Sequence, residues 1–180
     1  MRTILILAAA VAIGGYVTES SALKPDGASG ARKATAVLVD AGGAQKATAT
    51  LTQKRSGLRL VIDATGLPPG LHGVHIHTVG QCTAPDFASA GGHWNPTHKM
   101  HGKDNPMGEH MGDLPNLTIG ADGTGHLDMT VPGAMLSGGD MPLLDADGAA
   151  LVIHAAADDY KTDPSGASGG RVACGVITAR

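Results

Sequence analysis

The chain has 180 residues and a formal net charge of −3 at pH 7, and only 2% of its residues are aromatic. This length suits one domain with a real hydrophobic core, which valine, leucine and isoleucine must largely fill. The weak negative charge provides no basic surface of the kind that binds nucleic acid or an anionic membrane, so we predict neither partner.

The first residues predict export. Arg2 is followed by the apolar run ILILAAAVAI and then by small and polar residues, TESSAL, which is the pattern of a secretory signal peptide. A membrane anchor is the alternative, but the run is shorter than the ~20 apolar residues that a spanning helix needs. We therefore predict a cleaved signal peptide over residues 1–22, a flexible segment over 23–33, and a periplasmic mature protein without a membrane segment.

Short strands and turns follow the leader. ATAVLVD (34–40) and KATATLTQ (46–53) flank a Gly-Gly turn. LRLVIDATGL (58–67) runs into the double proline of LPPG, where a central strand has to end. GVHIHTV (73–79) is the next short apolar run, and its histidines alternate with apolar residues.

Three later segments complete the predicted sheet. NLTIGADGTGHLDMTV (116–131) holds two runs around an Asp-Gly turn, LLDADGAALVIHAAA (143–157) holds another Asp-Gly turn, and RVACGVITA (171–179) closes the chain. Such spacing predicts an antiparallel all-β sandwich or barrel rather than βαβ units.

Two long loops interrupt this order. Residues 81–115 are rich in glycine, proline, histidine and aspartate, and residues 158–170 form a shorter polar loop. A structureless loop as long as the first is uncommon in a compact domain unless it is functional or disordered. We therefore expect the function to lie on these two loops.

The two cysteines of the chain, Cys82 and Cys174, predict a disulfide. An even pair of cysteines in an oxidising compartment is most simply bridged. The bridge would close a loop of about 90 residues and stabilise the fold by about 4–5 kcal/mol in the chain-entropy description. Two buried free thiols are the alternative.

The histidines predict a metal centre. All nine lie between positions 72 and 154. His75 and His77, two apart on a strand, project on the same side. A lone histidine in an apolar strand, such as His154, is more often a core residue than a ligand, but here it belongs to a set. Zinc accepts imidazole nitrogen together with carboxylate oxygen, and an all-imidazole site suits copper as well as zinc. The long loop adds His93, His101, His110 and Asp113 to the candidates.

At this point the segments match a family. GVHIHTVG, GGHWNP, EHMGDLPN, LVIHAAADD and GGRVACGVI resemble, in that order, the signature segments of copper/zinc superoxide dismutase in its bacterial secreted form. The resemblance covers roughly residues 34–180. It implies one domain over that range, an eight-stranded antiparallel Greek-key barrel or sandwich. It also implies a long metal-binding loop and a second, electrostatic loop that borders a channel.

Carried onto this sequence, the resemblance implies two metal sites that share one histidine. The implied copper ligands are His75, His77, His93 and His154. The implied zinc ligands are His93, His101, His110 and Asp113. Asp158 would link the outer nitrogens of a copper histidine and a zinc histidine, and Arg171 would line the substrate channel.

The resemblance also implies a reaction. Two superoxide anions and two protons would give O₂ and hydrogen peroxide while copper cycles between Cu²⁺ and Cu⁺. His93 would act both as the shared ligand and as a proton carrier, and zinc would hold the loop. Secreted relatives are often dimers, so a homodimer is a further expectation.

Other interpretations remain open. A non-catalytic periplasmic copper- and zinc-binding module on the same fold would keep the ligands without the channel. A zinc hydrolase with a His-x-His-x-Asp motif is disfavoured because Val79 stands where the aspartate would be. We interpret His72, His98 and His126 as surface or hydrogen-bonded histidines. Loop packing is the default role of Met100, Met107 and Met111, and capture of Cu(I) by their thioethers is a hypothesis.

Overall fold

The structure is a computed structural model that describes residues 30–180. The predicted signal peptide and most of the predicted flexible segment lie outside these residues. Within the described part of the chain, no helix is long and apolar enough to cross a membrane. One turn of 3-10 helix, Ala88–Ala90, is the helical structure of this part.

Ten strands make the fold almost entirely β. They are β1 (Lys33–Val39), β2 (Gln45–Lys54), β3 (Gly57–Ala64), β4 (Gly70–His72), β5 (Val74–His77), β6 (Leu117–Ile119), β7 (Gly125–Pro132), β8 (Ala150–His154), β9 (Arg171–Val176) and β10 (Thr178–Ala179).

All strand pairs are antiparallel, and the strands form two sheets. The large sheet has the order β5-β8-β9-β1-β2-β3-β7, with β10 also paired to β1, and β4 pairs with β6 in a small second sheet. Strands distant in sequence are neighbours where β7 lies beside β3 and β5 lies beside β8, which are crossovers of the Greek-key kind. The predicted antiparallel Greek-key β fold is confirmed.

Alternation of small apolar and polar residues explains the first three strands. In β1, Ala34, Ala36 and Leu38 face the core, and the residues between them are more exposed. β2 and β3 continue this face with alanine, leucine and isoleucine. Alanine therefore contributes more to the core than the expected valine does. The scarce aromatic residues Phe87 and Trp94 are also buried.

The segment before β8 differs from the prediction. The sequence suggested apolar runs on both sides of an Asp-Gly turn in 143–157, but only Ala150–His154 is a strand. Leu143 and Leu144 instead donate single backbone hydrogen bonds to Met135 and Leu136. A turn in which Gly148 N–H donates to Asp145 Oδ1 begins directly after them, which leaves no room for a longer ladder.

Candidate metal centre

Strands β5 and β8 bring three of the predicted histidines together. His75 and His77 of β5 lie opposite Val152 and Ala150 of β8, and His154 ends β8. All three histidines are buried. The edge of the sheet therefore presents imidazoles where a strand would ordinarily present apolar core residues.

The long loop supplies the remaining candidates by lying along the free edge of β5. Ile76 N–H donates to Gly112 O at 2.9 Å, and Trp94 N–H donates to Ile76 O at 2.8 Å. A Cβ atom on Gly112 would lie 2.4 Å from Ile76 O, so only glycine permits this approach. Single bridges pair His75 with Asp113 and His77 with His93. The loop is thus ordered by backbone pairing with β5.

Four histidines converge to form what we call the four-histidine group: His75, His77, His93 and His154. One ring nitrogen of each lies within 4.8 Å of the others. These are His75 Nδ1, His77 Nε2, His93 Nε2 and His154 Nε2, and all four are buried without a hydrogen-bond partner. A buried polar atom without a partner is costly. Four such lone-pair donors facing one point fit a copper or zinc ion.

The other nitrogen of each ring in this group is held by a neighbour. His77 Nδ1 lies 2.9 Å from Gly91 O and His154 Nδ1 lies 3.2 Å from Gly169 O. His75 Nε2 lies 2.7 Å from Asp158 Oδ2. Carbonyl and carboxylate oxygens only accept hydrogen bonds, so these nitrogens carry the protons. That assignment leaves the inward nitrogens as free electron-pair donors.

The second cluster, which we call the Asp113 group, consists of His93, His101, His110 and Asp113. Asp113 Oδ1 lies 2.8 Å from His93 Nδ1, 3.0 Å from His101 Nδ1 and 3.1 Å from His110 Nδ1. Asp113 Oδ2 accepts from the backbone N–H groups of Gly102 and His110. Three imidazoles and a carboxylate are a donor set that suits tetrahedral zinc.

If the members are chosen only by the distances between their ligand atoms, the set of four around Asp113 includes His75 in place of His110. Ligand atoms of His75, His93, His101 and Asp113 all lie within 4.8 Å of one another, and His110 falls outside that limit. His75 is included because its ring stacks on His93, with centroids 3.9 Å apart. Since His75 has one free nitrogen and that nitrogen faces the four-histidine group, His110 is the better fourth member of the Asp113 group.

The pKa values of the side chains differ between the two groups, because burial and neighbouring charges act on them differently. Burial lowers the pKa of His77 to about 2 and that of His154 to about 3. Burial also lowers the pKa of His93, to about 4, although the hydrogen bond that His93 donates to Asp113 has the opposite effect. His77, His93 and His154 are therefore held neutral, as metal ligands must be.

The Asp113 group behaves in the opposite way. Burial disfavours charge on His101, but the hydrogen bonds that its ring donates to Asp113 and Asp158 outweigh this effect and raise the pKa of His101 to about 9. Burial likewise opposes charge on Asp113, yet its hydrogen bonds from His101, His110 and His93 hold its pKa well below 3.8. Within this group, His101 and Asp113 therefore form a buried ion pair.

Arg171 lies beside the four-histidine group. It is the cross-strand partner of His154, and its guanidinium donates to Phe87 O and Gly91 O, both at 2.7 Å. A cavity of about 410 Å³ is bordered by this arginine and by four of the histidines, His77, His93, His110 and His154. Partial burial lowers the pKa of Arg171, but the group remains a cation. A small anion can therefore meet a positive charge next to the imidazoles.

The predicted disulfide is present. Cys82 and Cys174 are bonded, with a separation of 92 positions in the sequence. The bond fastens the start of the long loop to β9, three residues from Arg171. The segment that supplies the carbonyls for Arg171 thus begins at a covalent anchor.

The remaining histidines and methionines are not members of either group. His72 is buried with its nitrogens 2.7 Å from His154 O and 2.9 Å from Pro68 O, and His126 Nδ1 lies 2.7 Å from Asp63 Oδ1. These contacts agree with hydrogen-bonded roles. Met100 and Met107 are exposed, whereas Met111 packs against the core. Nothing in these contacts tests whether the thioethers capture Cu(I).

The sequence did not indicate two residues whose side chains hold the main chain of site residues. Asp163 Oδ1 accepts from His101 N–H at 2.7 Å, so the second loop holds a residue of the Asp113 group. The carboxamide of Asn116 contacts Asp158 at two points. The signal that could have found them is weak, because an aspartate or asparagine in a loop is common without any such role.

Comparison with known proteins agrees with this arrangement. A family model described as copper/zinc superoxide dismutase (SODC) matches residues 45–177. Superoxide dismutase-like protein YojM of Bacillus subtilis is 51% identical over 123 residues, which cover 67% of this chain and 63% of that protein. The chain thus matches less than two thirds of the length of this relative. A Cu-Zn superoxide dismutase of Caulobacter vibrioides is 42% identical over 147 residues, covering 80% of this chain and 84% of that protein.

Solved structures show the same fold. The crystal structure of a SOD-like protein from Bacillus subtilis superposes with a TM-score of 0.77 at 45% identity. The match covers 80% of this chain and 97% of that one.

Proposed function

The chain belongs to the copper/zinc superoxide dismutase family, and from this premise we propose that it is a catalytically active superoxide dismutase. Copper and zinc are the cofactors that the family implies. The observation that carries the proposal is the convergence of four buried, unpartnered imidazole nitrogens next to a guanidinium. A structural zinc site would need the imidazoles, but it would not need a cation bordering an adjacent cavity.

The proposed ligand sets follow the two groups. The four-histidine group would hold copper through His75 Nδ1, His77 Nε2, His93 Nε2 and His154 Nε2. The Asp113 group would hold zinc through the Nδ1 atoms of its three histidines and Asp113 Oδ1. His93 belongs to both groups, with one nitrogen facing each, which supports a shared, bridging ligand.

Copper, when bound, supplies the one-electron chemistry by which one superoxide is oxidised to O₂ and a second is reduced, with two protons, to hydrogen peroxide. Zinc cannot serve this purpose because it has no redox chemistry. Arg171 attracts the anion and orients it by charge and hydrogen bonding. His93 Nε2 is the atom at which this chain would hold and release a proton. The contact between His93 Nδ1 and Asp113 keeps the opposite edge of the ring turned towards the Asp113 group.

We also propose export to the periplasm, on the strength of the leader pattern in the first 22 residues. A homodimer remains a prediction, which size measurement in solution would test. The proposed chemistry of the metal centre requires neither export nor a homodimer.

The test is direct superoxide decay with the full-length, disulfide-intact protein loaded with copper and zinc. Protein loaded with zinc alone serves as the blank. We expect decay near the diffusion limit of about 10⁸–10⁹ M⁻¹s⁻¹, strictly dependent on copper. Slow decay in protein that demonstrably holds both metals would contradict the proposal. A non-catalytic metal-binding module would then be the better description.

A further inference from the structure

The carboxylate of Asp158 joins the two groups. Its Oδ2 lies 2.7 Å from His75 Nε2, and its Oδ1 lies 2.9 Å from His101 Nε2. The side chains of all three residues are fully buried. Because each ring is oriented by the oxygen that it faces, a shift of Asp158 would move one histidine of each group.

Asn116 holds the backbone of Asp158 at two points. Asp158 N–H donates to Asn116 Oδ1 at 2.8 Å, and Asn116 Nδ2 donates to Asp158 O at 2.9 Å. One planar carboxamide thus accepts from the peptide group before the Asp158 Cα and donates to the peptide group after it, which fixes the main chain on both sides of that residue. Asn116 directly follows the long loop, and Asp158 begins the second loop, so the contact joins the two loops at their bases.

Tyr160 extends this contact towards the Asp113 group. Asn116 N–H donates to Tyr160 Oη at 2.8 Å, and Tyr160 N–H donates to Asp158 Oδ1 at 2.6 Å. Tyr160 O accepts from Asp104 N–H, and Lys103 Nζ lies 4.1 Å from the centre of the tyrosine ring. The segment next to His101 is therefore tied to the residue that Asn116 holds.

The space around the carboxylate is closed on another side. A Cβ atom on Gly166, which has φ +66°, would lie 1.8 Å from Asp158 Oδ1 and 2.6 Å from His101 Nε2. The backbone of the second loop thus packs directly on the Asp158–His101 contact. Asn116 holds the main chain of Asp158 by hydrogen bonds, and Gly166 covers its side chain. Asp158 therefore has little freedom to move, and its position determines the orientation of the His75 and His101 rings.

We propose that Asn116 is a positioning residue of the metal centre, which sets the Asp158 carboxylate and through it the imidazoles of His75 and His101. The inference rests on the proposed function, because it assumes that the two groups bind copper and zinc. It assigns Asn116 no contact with metal or substrate. Its effect must therefore travel through Asp158.

The experiment measures zinc affinity of the full-length, disulfide-intact protein by competition with a chelator. Loss of a group that orients a metal ligand typically weakens metal binding about 10- to 100-fold. We expect Asp158→Asn to raise the zinc dissociation constant by about that factor, and Asn116→Ala by about tenfold. The double variant should bind zinc no more weakly than Asp158→Asn alone, since Asn116 acts only through Asp158. Additive losses would overturn the proposal.

Asn116→Gln separates positioning from simple hydrogen-bond satisfaction. Glutamine keeps the carboxamide but places it one methylene further from the main chain. If Asn116 only satisfies two backbone groups, this variant should match the wild type in zinc affinity and in the electron paramagnetic resonance spectrum of bound Cu²⁺. We expect both to change, because His75 and His101 are displaced together. A wild-type spectrum and affinity would overturn the proposal even if Asn116→Ala does not fold.

Gln53→Ala is the matched control. The Gln53 carboxamide also joins two distant segments, donating to Ala134 O and accepting from Leu136 N–H, but it lies away from both groups. We expect this variant to lose stability and to keep the zinc affinity and copper spectrum of the wild type. If the wild type itself binds neither metal, the proposed function fails. If the wild type binds both and the Asn116 variants match it, only this inference fails.

Discussion

The four-histidine group and the Asp113 group share His93, yet the chain prepares them in opposite ways. The first group contains no acid, and burial holds the imidazoles of His77 and His154 neutral. The second is centred on the carboxylate of Asp113, which contacts three histidine rings and two backbone N–H groups. The first group therefore offers neutral imidazoles at His77 and His154, whereas His101 and Asp113 of the second group form an ion pair.

The two groups therefore differ in how much a bound metal ion would stabilise them. The Asp113 group satisfies much of its own hydrogen bonding, so its geometry is maintained from within the protein. The four-histidine group leaves four buried nitrogens without partners, so a cation would relieve a cost that the fold otherwise carries. We therefore expect copper loading to stabilise the fold more per site than the number of ligands alone would suggest.

His154→Ala should have the largest effect, because it removes a member of the four-histidine group and leaves the Asp113 group intact. We expect copper binding and superoxide decay to fall to the level of the zinc-only blank, with zinc content unchanged. Metal analysis by mass spectrometry and stopped-flow superoxide decay provide the measurements. Retention of activity would contradict the ligand assignment, and loss of zinc together with copper would contradict the assignment of His154 to the four-histidine group alone.

Asp113→Asn should have the next largest effect. It preserves the shape of the side chain but removes the charge that stabilises His101. Removing one partner of a buried ion pair costs about 3–5 kcal/mol, so the metal-free protein should lose roughly that much stability in denaturant unfolding. Zinc affinity should fall as well, while copper binding persists. A metal-free stability equal to that of the wild type would show that Asp113 does not preorganise its group.

Arg171→Ala tests the cavity that Arg171 borders beside the four-histidine group. We expect both metals to bind normally and the rate of superoxide decay to fall about tenfold, since a local positive charge raises the encounter rate of an anion by 10-fold or more. The rate should also depend less on ionic strength, because salt screens the attraction that has been removed. An unchanged rate and salt dependence would place the route of the anion elsewhere.

Asp128→Asn provides the smallest effect and a reference outside both groups. Arg59 and Asp128 form an exposed ion pair on β3 and β7, and the hydrogen bond from Arg59 lowers the pKa of Asp128 below 3.8. A lowered pKa in the folded state stabilises the protein above pH 3.8, and this contribution disappears as the pH falls through the lowered value. Wild type should therefore lose slightly more stability than the variant on acidification, as followed by unfolding at several pH values. Metal content should not change.

The sequence predicted the barrel well where strands alternate and turns carry glycine. The strands at 34–40 and 46–53 and the Asp-Gly turn in 116–131 appear where expected, because local pattern and tertiary burial agree there. The prediction of an apolar strand beginning at Leu143 was wrong. Its leucines are buried by contacts with a loop rather than by strand pairing, which a local pattern does not distinguish.

The site was predictable in residue type but not in its contacts. The spacing of the histidines and Asp113 indicated a metal centre, and the structure brings these side chains together. Which nitrogen of each ring faces inward depends on Gly91 O, Gly169 O and Asp158, and nothing in the sequence marks a carbonyl as a partner. The grip of Asn116 on Asp158 joins residues 42 positions apart. Such a contact depends on the path of two loops rather than on any local pattern.

The position of β5 has a consequence for solubility. β5 is the last strand of the large sheet, and on its outer side it pairs with the long loop rather than with another strand. An uncovered edge strand offers its N–H and C=O groups to other chains and promotes aggregation. The loop that carries the Asp113 group therefore also acts as an edge cover. Conditions that detach it, such as loss of metal combined with reduction of the disulfide, should expose a pairing surface between molecules.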